Sequence, residues 1–248
     1  MNIRNRIKDS QIYQKMRFWK DIVPTDFFDF EKLWLFKKVY PYTMSGYKRL
    51  SNVYELSKKI EEEKLEGAFV ECGVWKGGCA AIMAYVANES GSLRKIWLFD
   101  SFEGLPEPTR EDGLVAQNYA GNRTLGRLQT IDKCIGALED VKKIFFEILK
   151  INPENIVIEK GWFQNTLPEA KKKIGQISIL RLDGDWYEST KCCLENLYDN
   201  VIVGGYIIID DYGHWEGAKK ALEEFFVKGN INPDLIKIDY TGVYFKKS

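Results

Sequence analysis

The feature that most constrains this 248-residue chain is a pair of apolar, β-branched runs that stop abruptly at carboxylates. Leu180-Arg-Leu182 runs into Asp183-Gly-Asp185, and Gly204-Gly-Tyr-Ile-Ile-Ile209 runs into Asp210-Asp211. Short apolar runs bounded by glycine are the pattern of strands buried in a parallel sheet. In an open α/β sheet, ligands gather outside the carboxyl ends of such strands. Two neighbouring strands delivering several carboxylates to one rim crowd like charge, which a positive ligand would relieve. A hard divalent cation with oxygen ligands suits such a rim.

The rest of the chain supplies the remaining layers. Ser45 to Lys64 has an apolar stripe (Leu50, Val53, Tyr54, Leu56, Ile60) opposite a charged face and is expected to be a helix, with Ser45 as its N-cap. Ala68-Phe-Val70 reads as a strand, the glycines of Glu71-Cys-Gly-Val-Trp-Lys-Gly-Gly78 as a turn, and Gly78 to Ala87 as a helix. This is the nucleotide-binding first unit of a doubly wound sheet. Its ExGxxxGG spacing is neither the GxGxxG fingerprint nor a Walker loop. Gly73 allows close approach of a ligand, and Glu71 places an acid beside it. Lys95 to Asp100 is a second strand ending in an acid, at the distance expected of a carboxylate that grips ribose hydroxyls.

Pro106 to Arg127 reads as a polar loop, of a length more common in lids than in filler. Leu128 to Leu149 is expected to be one amphipathic helix, Asn155 to Lys160 a third strand, and Glu169 to Lys173 a short helix. Trp162 and Phe163, in the loop between, could hold an adenine ring or plug the core. Helices are expected over Trp186 to Tyr198 and Trp215 to Phe226, with an antiparallel hairpin about the Thr-Gly turn between Leu235 and Phe245. The sum is an α/β, Rossmann-like sheet of seven mostly parallel strands with helices on both faces. Residues 1–45, rich in aromatics (Tyr13, Phe18, Trp19, Phe27, Phe28, Phe30, Trp34), form an arm or lid. Residues 46–248 form a single domain.

Composition narrows the partners. Thirty-six basic residues balance 36 acidic ones, so no global field favours nucleic acid or an anionic membrane. Five cysteines without CxxC or zinc spacing point to free thiols in a reducing cytoplasm, and no run approaches a membrane span.

Four motifs in order, Val70-Glu-Cys-Gly-Val-Trp-Lys-Gly-Gly78, Asp100-Ser-Phe-Glu-Gly-Leu-Pro106, Leu182-Asp-Gly-Asp-Trp-Tyr-Glu-Ser-Thr190 and Gly204 to Tyr212, resemble the macrocin O-methyltransferase family. Tyr42-Thr-Met44 is similar to that family's Thr-Met element. The resemblance spans roughly residues 40 to 230. It implies a class I S-adenosylmethionine-dependent methyltransferase that uses magnesium to methylate sugar hydroxyls, as the family does on macrolide and aminocoumarin antibiotics. Carried over, Asp183, Asp210 and Asp211 would be magnesium ligands and Asp185 the general base. Glu71, Gly73, Asp100, Ser101, Trp162 and Asp183 would line the donor pocket, closed by Thr43. A homo-oligomer, dimer or tetramer, is also implied.

The chemistry agrees with those residue types. A sugar hydroxyl is a weak nucleophile until a metal lowers its pKa and a carboxylate takes its proton. Two readings stay open within the site: Asp185 as base or as cap of the following helix, and His214 as substrate contact or second base, or as a solvated loop residue. Three rivals remain. One is a metal-dependent O-methyltransferase of catechol-like substrates, another a glycosyltransferase using Asp183-Gly-Asp185 as its metal site. The third is a binding protein without turnover.

Overall fold

The computed structural model describes residues 22–248. The aromatic residues Tyr13, Phe18 and Trp19 of the expected arm lie outside the described residues. Seven strands form one sheet in the order β3-β2-β1-β4-β5-β7-β6. They are β1 Ala68–Cys72, β2 Ile96–Asp100, β3 Ile156–Lys160, β4 Ile177–Leu182, β5 Val201–Ile209, β6 Ile236–Lys237 and β7 Val243–Lys246. The first five run parallel to one another, while β7 pairs antiparallel with β5 and with β6. The expected sheet and its terminal hairpin are both present.

Among the described residues, eight α-helices surround it: α1 Phe30–Val39, α2 Tyr47–Glu62, α3 Gly78–Glu89, α4 Gly113–Tyr119, α5 Leu138–Lys142, α6 Phe163–Ile174, α7 Tyr187–Leu197 and α8 Glu216–Gly229. Strand residues alternate between two buried faces. Phe69, Leu98, Ile179 and Ile208 pack with α1, α2 and α3 on one side. Val70, Phe99, Leu180, Ile207 and Ile209 pack with α6, α7 and α8 on the other. A third, smaller core of Leu105, Ala116, Ala120, Ile131, Trp186, Trp215 and Ala218 lies beyond the strand ends.

Three expectations are corrected. Ser45 does not cap α2; Gly46 holds the N-cap position, and Thr43 Oγ1 accepts the Ser45 N–H (3.0 Å), which turns Ser45 inward. The helix expected over Leu128 to Leu149 begins only at Leu138 and widens into a π-helical stretch at Lys143–Ile148. Asp132 and Cys134 sit at φ +61° and +54°, and a Cβ on Gly136 would collide with the Trp75 carbonyl. Packing against the glycine-rich turn therefore overrides the helical period there. The third correction concerns Pro106 to Arg127, which is no irregular loop: a capping box between Thr109 and Asp112 opens a 3-10 turn that leads into α4.

Candidate active site

The ends of β1, β4 and β5 lie side by side. Cys72 and Ile209 are both in register with Leu182. The stitching continues past the strands: Asp183 N–H donates to Cys72 O (2.8 Å) and Asp210 N–H to Leu182 O (2.9 Å). Gly73 turns at φ +87°, and a Cβ there would penetrate the Asp183 carbonyl. The glycine-rich turn and the carboxylate rim thus touch through backbone alone, which requires glycine.

Asp183, Asp185 and Asp211 each bring one carboxylate oxygen within 4.8 Å of the others. Asp185 adopts a left-handed backbone (φ +57°), which Asp tolerates better than most residues. Its N–H donates to Asp211 Oδ2 (3.1 Å), and its Oδ1 accepts the Trp215 indole N–H (2.7 Å). Burial, then the Asp183 charge, pushes the Asp185 carboxyl up to about 8. Burial and the neighbouring carboxylates also raise Asp211 and Asp183. An all-oxygen set under mutual repulsion fits a magnesium ion.

Asp210 is not in that cluster. Its oxygens are held by Arg49 and Arg181, both in close ion pairs. Adjacent residues at a strand end face opposite sides, so Asp211 turns to the cluster and Asp210 away from it. Arg181, 1% exposed, also pairs with Glu71 and with Asp183 (2.9 Å) and reaches Ser45 Oγ (3.1 Å). It was legible only as a cation within an apolar strand.

A cleft at the strand ends, about 580 Å³ including its open mouth, is lined among others by Met44, Gly73, Trp75, Asp100, Ser101, Cys134, Trp162, Phe163, Gln164, Asp183 and Asp185. Six of the expected site residues (Gly73, Asp100, Ser101, Trp162, Asp183, Asp185) therefore share one cavity. Asp100 has both oxygens bonded to backbone: Oδ2 accepts from Val74 N (2.9 Å) and Trp75 N (2.8 Å), Oδ1 from Phe102 N (2.7 Å). Its first job is to shape the glycine-rich turn. Ser101 Oγ donates to Gly104 O (3.0 Å) and fixes the next bend. A small pocket beside the cavity is lined by Thr43, Glu71, Cys79 and Arg181. Burial raises the Glu71 carboxyl to about 7 against the pull of Arg181, and Glu71 Oε2 has no hydrogen-bond partner. His214 is exposed, edge-on to Trp215 (4.5 Å between ring centres), and does not line the cavity. Trp75, Gln164 and Trp215 are lining or orienting residues that the sequence did not single out.

Comparison with known proteins agrees with this geometry. The family model described as Macrocin-O-methyltransferase (TylF) matches residues 36–247. The chain is 36% identical over 208 residues to a demethyldecarbamoylnovobiocin O-methyltransferase of Streptomyces niveus, covering 84% of this chain and 76% of that one. It is 34% identical over 206 residues to the 8-demethyl-8-(2,3-dimethoxy-alpha-L-rhamnosyl)-tetracenomycin-C 4'-O-methyltransferase of Streptomyces olivaceus, covering 83% and 75%. Among solved structures, the O-methyltransferase NovP superposes with a TM-score of 0.72 at 34% identity, covering 84% of this chain and 82% of that one.

Proposed function

Because the chain belongs to the macrocin O-methyltransferase family and is an S-adenosylmethionine-dependent O-methyltransferase, we propose that it methylates a sugar hydroxyl with the help of magnesium. The observation that carries the reading is the Asp183, Asp185 and Asp211 cluster, two of whose members line the cavity between the glycine-rich turn and the Leu105–Pro106 edge. The relatives' names, one acting on a rhamnosyl tetracenomycin, support a sugar-bearing acceptor.

Asp183 and Asp211 would hold the metal beside Asp185, with Asp210 locked behind them by Arg49 and Arg181. When bound, magnesium supplies a lowered pKa for the acceptor hydroxyl and a fixed orientation. The protein does the rest. The turn from Gly73 to Trp75, braced by Asp100, and the Trp162 and Phe163 rings shape the donor's seat. Glu71 Oε2, buried and unpaired, suits the donor's ammonium group. Asp185, its Oδ1 oriented by Trp215, receives the hydroxyl proton. His214, exposed and facing Trp215 and Tyr240, is set aside as base.

No helix of the described residues is long and apolar enough to cross a membrane, and all five cysteines are free. These fit the proposed cytoplasmic location. Phe28 and Phe30, 83% and 77% exposed, suit the proposed homo-oligomer, for which light scattering is the check.

The deciding experiment titrates the protein with S-adenosylhomocysteine, with and without magnesium, then assays methyl transfer to rhamnosyl glycosides, a nucleotide-linked rhamnose and a catechol. Donor-product binding, with turnover on a rhamnose and its loss in chelator, is the expected result. Turnover on the catechol alone would replace the sugar reading. Donor-product binding with no turnover on any acceptor would leave a binding protein.

A further inference from the structure

The segment from Leu105 to Ile131 is fastened to the carboxylate rim by a residue that the methyl-transfer reading leaves without a role. Asp112 is 1% exposed. Its Oδ2 accepts from Thr109 N (2.7 Å) and Thr109 Oγ1 (3.0 Å), which closes the turn in its own segment. Its Oδ1 accepts from the backbone N–H of Tyr187 (2.6 Å), the first residue of α7 and two beyond Asp185. On the other side stands the first turn of α8, where a Cβ on Gly217 would run into Asp112 Oδ1. One carboxylate is thus wedged between the opening turns of the two helices that follow Asp183-Gly-Asp185 and Asp210-Asp211. Unpaired N–H groups and the positive end of a helix favour a carboxylate there.

Asp112 is supported by contacts that lead to the reacting end of the site. Trp186 Nε1 donates to Pro106 O (2.9 Å). The Tyr119 ring lies 5.6 Å from Trp215, whose indole holds Asp185. Tyr119 Oη is 3.9 Å from Cys134 Sγ, and Cys134 lines the cavity beside Asp183 and Asp185 together with Leu105 and Pro106. Freeing the segment would move an aromatic face and an apolar edge away from Asp185, while the donor's turn at Gly73 to Trp75 is braced by Asp100 instead.

We propose that Asp112 is the latch that holds the Leu105–Ile131 segment as the acceptor-side wall of the site, a positioning residue for the Tyr119 and Trp215 rings beside Asp185. This rests on the reading that the acceptor lies over Asp185, and it assigns the choice of acceptor to this wall. Aromatic and apolar faces suit the C–H faces of a sugar ring.

The test compares wild type with Asp112→Ala and Asp112→Asn by iodoacetamide labelling, mapped by mass spectrometry. Calorimetry with S-adenosylhomocysteine is run alongside. Labelling at Cys134 should rise about 10-fold in the alanine variant, the scale of one lost helix cap. It should rise less in the asparagine variant, which keeps an oxygen for the Tyr187 N–H. Cys192, beside Asn196 on α7 and away from the cavity wall that Tyr119 and Cys134 share, should keep its rate, and affinity for S-adenosylhomocysteine should stay unchanged. With a rhamnosyl glycoside as acceptor, KM should rise more than kcat falls. Unchanged Cys134 labelling overturns the proposal. So does an equal rise at Cys134 and Cys192, which would mark general loosening rather than a latch. The labelling needs no acceptor, so failure of the latch and failure of the sugar reading are separate results.

Discussion

Asp183 and Asp185 stand two residues apart, yet their surroundings divide the work between them. Asp183 presents its carbonyl to Gly73 and its carboxylate to Arg181 and the cluster. Replacing only the carboxylate therefore spares the contact with the donor turn. Asp183→Asn is expected to cut turnover about 100-fold, the upper range for disturbing a metal's surroundings, while affinity for S-adenosylhomocysteine holds. A parallel loss of donor affinity in calorimetry would remove the metal role. Asp185 depends instead on the Trp215 indole, whose N–H donates to its Oδ1. Trp215→Phe keeps ring packing against Trp186 and Tyr119 but deletes that donor. A hydrogen bond to a charged group contributes about 1.5–3 kcal/mol, so kcat should fall at least about 10-fold. Wild-type kcat in that variant would show that Asp185 needs no orienting.

At the scale of elements, the glycine-rich turn between β1 and α3 is where sequence and structure agree most closely. Gly73 is required twice, by its positive φ and by the Asp183 carbonyl it faces. Gly73→Ala should destabilise the fold by about 2–4 kcal/mol, through strain combined with overpacking, read as a lowered midpoint in urea. A midpoint within error of wild type would mean that the rim can part from the turn. The strands were legible because buried parallel strands are short, apolar and bounded by glycine, and their acidic ends marked the rim. Which way each acid points was not, since Asp210 and Asp211 differ only in strand parity at a bent end. Nor was the stretch before α5, where apolar spacing suggested a helix. Its backbone is fixed instead by Gly136 under Trp75, a contact between residues 61 positions apart in number that local periodicity cannot register. Arg181 was hidden for a similar reason: its three acidic partners come from three strands.

Across the whole molecule, the balance of charge beneath the rim is uneven. Glu71, Asp183, Asp185, Asp210 and Asp211 converge there, while Arg49 and Arg181 are the cations paired with them. Arg181 serves three of the five acids and Arg49 is divided between Asp210 and Asp239, so Asp185 and Asp211 have no cation of their own among these pairs. Crowded carboxylates destabilise a fold unless protonated or bound to a cation, and their raised proton affinities show that strain in this chain. A divalent ion binding only the folded state adds stability by mass action, about 2.7 kcal/mol at a hundred times its Kd. For a chain of this length that corresponds to a rise in Tm of roughly 5–10 °C. Magnesium should therefore raise the melting temperature, and a chelator should return it to the starting value. Sodium chloride at equal ionic strength should give little of the effect, because screening acts weakly on buried pairs. Asp211→Asn should remove most of the magnesium-dependent rise while relieving part of the repulsion, so that variant should melt higher than wild type in chelator. An equal shift with sodium chloride, or a full magnesium shift in Asp211→Asn, would mean that the cluster is a structural acid network and that the metal, if used, is held elsewhere.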